Sequence, residues 1–362
     1  MPDIKPPAHG QDSPGSFAFW EGVGARVVLP LLAVAVVVLI AWIGAGSVRL
    51  EPFFGMILPY GALLAFLLGM SWRVLSWTRS AVPFNITTTC GQQYSLPWIR
   101  SSRLENPHTR WGAAGRVVLE MLLFRSLLRN VRHEWVAGDR EGDAPKLVFK
   151  SSPGLWLGAL VFHYSLLLVL LHHARFFFDP VSGWVTGLER LDAFFQVGSA
   201  AFYVSGVTLI LALLYLLVRR WWLPWLRYLS LPADYFPLYL LLGVALTGGM
   251  MHYSTRANVP AAKDFCLGLA RLHPAGLLGL GPLFHVHLTL ASLLLAYVPF
   301  SKLSHMVSLP LSPTRNLPGA GRMRRLVNPW NAPVNTHPYA EYENEYRDKM
   351  RAAGIPLEKE VP

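Results

Sequence analysis

Six histidines lie in or at the ends of stretches that hold no Asp, Glu, Lys or Arg: His163, His172, His173, His252, His285 and His287. A seventh, His305, follows just after Lys302. Ionisable residues inside apolar segments are rare and usually functional. Neutral imidazole binds transition metals and relays protons. A lone histidine of this kind is more often a hydrogen-bonded core residue, but these seven concentrate on two segments.

Helical geometry sorts them. An α-helix turns about 100° and rises about 1.5 Å per residue. His287 and His305, 18 residues apart, are close to five whole turns from each other. On one helix they share a face, roughly 27 Å apart along the axis. His163 and His173 are about 80° from a common face and roughly 15 Å apart, whereas His163 and His172 fall on opposite faces. His173 is therefore favoured over His172 as the companion of His163. If the two helices run in opposite directions, His163 meets His305 at one depth and His173 meets His287 at another. The pair centres are then roughly 20 Å apart. That leaves room for two haems close enough for electrons to hop. Two axial histidines with no open position suit electron transfer rather than oxygen binding. Each ring would bind iron through one nitrogen and give its other N–H to a carbonyl or hydroxyl. Ser165, Thr289 and Ser301 are available for that. Zinc fits less well, because no third or fourth ligand accompanies either pair. His252 and His285 read as polar residues at the outer end, near a proton exit. His172 reads as a contact for a quinone or a haem propionate. The open alternative is an ordinary bundle whose histidines only hydrogen-bond between helices.

The elements that carry these residues are apolar spans. The chain has 362 residues, 53% of them hydrophobic and 15% charged, against about 25% charged in soluble domains. Mean hydropathy is +0.36. A soluble two-domain enzyme, a disordered chain and a fibrous protein are excluded. Crossing a bilayer takes about 20 mostly apolar residues. Six charge-free windows qualify, between Arg26 and Arg49, Glu51 and Arg73, Lys150 and Arg175, Asp192 and Arg219, Asp234 and Arg256, and Arg271 and Lys302. The sixth helix is expected to begin near Leu283 and to kink at Pro299. The first span is too long and too far into the chain for a signal peptide.

The formal charge of +11 reads as an orientation signal rather than a nucleic-acid footprint. With the N-terminus inside, segments 1–26, 73–150, 219–234 and 302–362 hold 26 of the 32 basic residues, as the positive-inside rule expects. Both termini are then cytoplasmic. Segment 73–150 is too long for a plain connection. Its stretch 112–135 has apolar residues near helical spacing with arginines between them, and reads as an interfacial helix on the inner leaflet or a cover over the bundle. The C-terminal 60 residues are polar and proline-rich, so they form a disordered tail or lie on a partner. Cys90 falls inside and Cys266 outside, so both read as free thiols. No Walker A loop, dinucleotide fingerprint or catalytic triad is present.

The organisation expected is all-α: a six-helix transmembrane bundle with a cytoplasmic interfacial helix. Its parts are a cytoplasmic N-terminus (1–26), two transmembrane helices (27–75), a cytoplasmic segment (76–150), a four-helix dihaem domain (151–306) and a cytoplasmic tail (307–362).

The spacing His163-x9-His173 with His287-x17-His305 resembles the gamma subunits of respiratory nitrate reductases, dihaem b cytochromes that oxidise quinol, over roughly residues 155–306. Further stretches are similar to the DsrM family, the membrane cytochrome b subunits of the sulfite-reduction-associated DsrMKJOP complex. They are CGQQYSLPWIR from Cys90, NPHTRWGAAGRVVLEMLLFRSLLRN from Asn106, YVPFSKLSHM from Tyr297, LSPTRNL from Leu311 and the tail NPWNAPVNTHPYAEYENEYRDKMRAAGIP. The resemblance implies two b haems, the inner held by His163 and His305 and the outer by His173 and His287. It implies menaquinone or menaquinol reacting near the outer haem, with His172, Arg175 and Arg190 as candidate quinone or propionate contacts. It also implies electron exchange with a cytoplasmic iron–sulfur subunit similar to heterodisulfide reductase (DsrK-like) and assembly with the other DsrMKJOP subunits. The setting would be dissimilatory sulfur metabolism in a bacterial cytoplasmic membrane. The nitrate reductase family has a lysine near its quinone site; no lysine matches it after His173, and Arg175 and Arg190 are the nearest basic residues. Two other readings stay open at this point. One is the cytochrome b of a hydrogenase or another heterodisulfide reductase. The other is a haem-free anchor or transporter with a histidine proton relay.

Overall fold

The computed structural model describes residues 16–79, 104, 107–128, 132–136, 146–197, 200–255, 258–274, 279–312, 318 and 336–358. Cys90 and, apart from Pro318, the tail stretch 313–335 lie outside them. Six helices are long and apolar enough to cross a membrane. Helix α1 runs Ser16–Gly46. Its Leu29, Leu32, Leu39 and Ile40 are exposed, as befits a helix whose solvent is lipid. A π-helical turn, Phe53–Ile57, leads into α2, Leu58–Thr78. Pro59 has no N–H to give to Gly55, and its ring would crowd that carbonyl, so the wider turn relieves the clash.

The stretch 112–135 differs from the single helix expected there. Helix α3 spans Arg110–Leu123 and α4 only Arg125–Leu128. Between them Phe124 is left-handed, with φ 47°. Glu120 accepts hydrogen bonds from the Ser126 N–H (2.9 Å) and hydroxyl, which stabilises the break. Strand β1, Arg132–Val136, then pairs antiparallel with β2, Lys146–Lys150.

Helix α5, Pro153–His173, opens with proline at its first position, where the missing N–H costs nothing. Trp156 Nε1 donates to the Leu123 carbonyl (2.7 Å) and the Tyr164 hydroxyl to that of Leu122 (2.9 Å), which ties α5 to the end of α3. A 3₁₀ turn, Ala174–Phe176, follows, then α6, Gly183–Asp192. The hairpin β3–β4, Ala193–Val197 and Ala200–Tyr203, leads into α7, Val204–Trp222. The remaining helices are α8, Pro224–Leu229; α9, Pro232–Tyr253; α10, Val259–Ala270; α11, Pro282–Tyr297; α12, His305–Leu311; and α13, Tyr339–Ala352.

The chain divides into two units, residues 1–71 with 117–310, and 72–116 with 311–362. In the first, α5 packs along α7, α9 lies against α7 and α11, and α1 covers α9 and α11. Val34, Ala41, Tyr235, Leu240, Val286 and Leu290 form the main buried cluster. Gly69 admits the turn after α11, since a Cβ there would stand 2.8 Å from the Pro299 ring. At the end of the bundle where α5 finishes and α11 begins, α10 packs its Ala262 and Phe265 against Leu280. Lys263 Nζ lies 2.6 Å from Asp179 and holds its carboxyl below the usual carboxylate range. Cys266 is a free thiol, pushed up to about 11 by burial. In the second unit the tail contains more order than its composition suggests. Helix α13 buries Met350 and Glu343. Glu343 pairs with Arg347 (3.1 Å) and accepts the Glu358 N–H (3.0 Å).

Candidate functional site

The two histidine-bearing helices bring their rings together in twos. His163, on α5, and His305, at the start of α12, have ring centres 6.0 Å apart and planes at 87°. His173, closing α5, and His287, on α11, have ring centres 6.2 Å apart and planes at 15°. A metal held by one nitrogen of each of two imidazoles, about 2.0 Å away on either side, sets the ring centres roughly 6 Å apart. Both spacings match that value.

The hydrogen bonds decide which nitrogen is free. His163 Nδ1 donates to the Ala159 carbonyl (2.8 Å) and His173 Nδ1 to that of Val169 (2.7 Å). Both acceptors lie one turn back on α5. His305 Nδ1 donates to the Lys302 carbonyl (2.8 Å). His287 Nδ1 meets Thr247 Oγ1 on α9 at 2.9 Å. That hydroxyl also lies 2.8 Å from the Gly243 carbonyl, to which it donates, so it accepts from His287. All four rings therefore carry Nδ1–H, and all four keep a lone pair on Nε2. This is the arrangement of a metal-ligating histidine with its second partner in place. Among the described residues no group of three or more His, Cys, Asp and Glu side chains could hold an ion. Two imidazoles per site suit a metal whose other positions come from a macrocycle, so the residues fit haem iron.

The path to the His163–His305 pair breaks where a kink at Pro299 was expected, rather than bending and continuing. Helix α11 stops at Tyr297, because Pro299 cannot continue its ladder. Two 3₁₀ turns, Val298–Phe300 and Lys302–Ser304, carry the chain to His305. Ser301 caps the second by accepting the Leu303 N–H at 3.2 Å. Lys302 Nζ reaches Asp234 at 2.6 Å, and Asp234 also accepts the Leu231 N–H at the start of α9 (3.0 Å). The segment that offers the Lys302 carbonyl to His305 is thus anchored to a second span. Phe124 and Phe162 each lie 4.8 Å from His163, ring centre to ring centre. None of the hydroxyls expected as partners bonds a histidine of these pairs: Ser165 bonds Thr208 (2.7 Å), Ser301 bonds the Val298 carbonyl and Leu303 N–H, and Thr289 Oγ1 is buried without a partner among the described residues.

Beside the His173–His287 pair lies a second polar group. His172 Nδ1 is 3.7 Å from Asp192 Oδ2, and Asp192 is buried. Its carboxylate accepts the Ser205 N–H (2.9 Å) and hydroxyl. The Tyr203 ring lies 5.1 Å from His172 and 5.2 Å from His252. Burial, helped by the Glu189 carboxylate, pushes the Tyr203 phenol up. His252 Nε2 donates to the Ala201 carbonyl (2.9 Å). Among the described residues His172 Nε2 is buried without a partner, as is His285 Nε2. An unsatisfied buried polar atom costs about 1–3 kcal/mol. Arg175 pairs with Glu189 at 3.0 Å, and Arg190 is exposed in the last turn of α6. Sequence reasoning missed Thr247, Asp192, Ser205 and Tyr203. Asp192 marked only the edge of a span there, although a carboxylate at that edge was itself a signal.

Residues 144–316 match the nitrate reductase gamma subunit family. The chain is 43% identical over 285 residues to the Hdr-like menaquinol oxidoreductase cytochrome b-like subunit of Archaeoglobus fulgidus, covering 77% of this chain and 83% of that protein. It is 35% identical over 305 residues to the protein of the same description from Archaeoglobus profundus, covering 82% and 87%.

Proposed function

As this chain belongs to the family of Hdr-like menaquinol oxidoreductase cytochrome b-like subunits, we propose that it exchanges electrons between menaquinol near the outer face and an iron–sulfur subunit on the cytoplasmic face. It is a multi-pass membrane subunit of an oxidoreductase complex. His163 with His305, and His173 with His287, hold two b haems. The cytoplasmic partner is heterodisulfide reductase-like, of the DsrK kind. The assembly is of the DsrMKJOP type, working in dissimilatory sulfur metabolism, with both termini in the cytoplasm. The observation that carries this reading is the pair of imidazole couples, each about 6 Å across, with every Nδ1 engaged and every Nε2 free.

When bound, each haem would be held by one pair of histidines and would supply a one-electron carrier. The chain's own residues do the rest. The four Nδ1–H bonds lock ring orientation and tautomer. Phe124 and Phe162 pack on His163 and shield its ring from water. Arg175, Arg190 and His172 supply polar contacts at the outer end. Oxidation of one quinol there yields quinone, two protons released outside and two electrons leaving on the inside, which is electrogenic.

The test is a count. The purified complex, scanned reduced minus oxidised and assayed for haem by extraction, should contain two b haems per copy of this chain. Absence of b-type bands would leave the histidines as a haem-free relay. A second expectation concerns Thr247. Thr247→Val keeps the shape but removes the hydroxyl that accepts the His287 Nδ1–H. Removing such a partner typically weakens metal retention about 10–100-fold. Competition with a haem scavenger should show one of the two haems leaving faster, with the other unchanged.

A further inference from the structure

The outer polar group fits one chemical form of the substrate better than the other. Its members come from four elements: His172 from α5, Asp192 from the end of α6, Tyr203 from β4 and Ser205 from α7. Asp192 Oδ1 accepts the Ser205 N–H, while Oδ2 accepts the Ser205 hydroxyl and faces His172 Nδ1 at 3.7 Å. The carboxylate is therefore fixed by two bonds from outside the histidine. At 3.7 Å its negative oxygen makes no direct hydrogen bond to Nδ1 but favours the proton on that nitrogen through charge. Tyr203 packs on the ring from 5.1 Å. What remains is Nε2, buried and without a partner among the described residues.

We infer that Asp192 is a positioning residue that sets the tautomer of His172, so that Nε2 accepts a hydrogen bond from a hydroxyl of the reduced naphthoquinol and discriminates against the oxidised quinone. This rests on the functional reading above and deepens it. A quinol oxygen carries a hydrogen to donate; a quinone carbonyl has only lone pairs and meets the lone pair of Nε2 without a bond. A carboxylate, such as a haem propionate, is disfavoured for the same reason. No change in the charge of the ring is needed.

The experiment is equilibrium binding to the purified complex, under anaerobic conditions, of 2,3-dimethyl-1,4-naphthoquinol and of 2,3-dimethyl-1,4-naphthoquinone. Haem is counted on the same samples. One hydrogen bond of this kind corresponds to about a tenfold change in Kd, so the wild-type complex should bind the quinol about tenfold tighter. Asp192→Asn can keep an oxygen on the Ser205 N–H while turning its amide hydrogens toward Nδ1. The ring then carries its proton on Nε2, and the preference should invert toward the quinone. His172→Gln, which offers both a donor and an acceptor, should bring the two Kd values together. Both variants should retain two haems. Equal wild-type affinities, or a quinol preference unchanged in both variants, would overturn the tautomer assignment while leaving the subunit's function standing. Failure of the wild-type complex to bind either form would overturn that function, and this inference with it.

Discussion

Replacing His173 or His287 by alanine should halve the b-haem absorbance per chain and bring quinol oxidation to background. In the proposed ligation each ring supplies one of two protein ligands to the outer site; the rings face each other at 6.2 Å. Alanine removes a nitrogen that no neighbour replaces, because the described residues offer no further His, Cys, Asp or Glu to complete a set there. Crowding around His287 is tight as well: a Cβ on Gly248 would lie 3.2 Å from its Cε1. The substitution is paired with His287→Met. A thioether can replace an imidazole and raises the potential when it does. That variant should keep two haems and show one shifted upward in a redox titration. Full absorbance in either alanine variant would refute the ligand assignment.

Removing the inner pair should separate the two ends of the protein. With His163→Ala or His305→Ala, naphthoquinol added anaerobically should still reduce about one haem per chain. Reduction of an acceptor on the cytoplasmic side should stop. The reason is positional. His163 lies ten residues before His173 on α5, and His305 follows the 3₁₀ turns after α11. A loss of outer-site reduction in the same variants would contradict two independently held sites. The support of His305 allows a graded version. Asp234→Asn weakens the 2.6 Å contact to Lys302 without touching a ligand, so the inner spectrum should broaden while haem content holds.

Much of this arrangement was legible from residue types and periodicity. Choosing His173 over His172 required only the 100° step of an α-helix, and the structure does place His173, not His172, opposite His287. The acceptors for His163 and His173 were in principle legible too, since each ring bonds the carbonyl four residues earlier on its own helix. The path to His305 was legible only in part. Pro299 announced a kink, but the 3₁₀ turns and the anchor from Lys302 to Asp234, 68 residues away in sequence, did not follow from it. The helix expected over 112–135 begins two residues earlier, at Arg110, and was carried too far at its end. Its apolar spacing continues past Phe124, whereas the Glu120–Ser126 bonds that end it are side-chain choices outside any hydrophobic period.

From the sequence alone came the number of spans and the spacing of four histidines along two of them, because each follows from local composition and from rise per residue. Only the tertiary structure decided that Thr247 supports His287 and that Asp192 stands against His172, contacts made across 40 and 20 residues. Such contacts depend on how far each helix is rotated and tilted against its neighbours. That is set by the packing of whole faces, such as Gly243 admitting Leu290 and Val34, and no single segment encodes it.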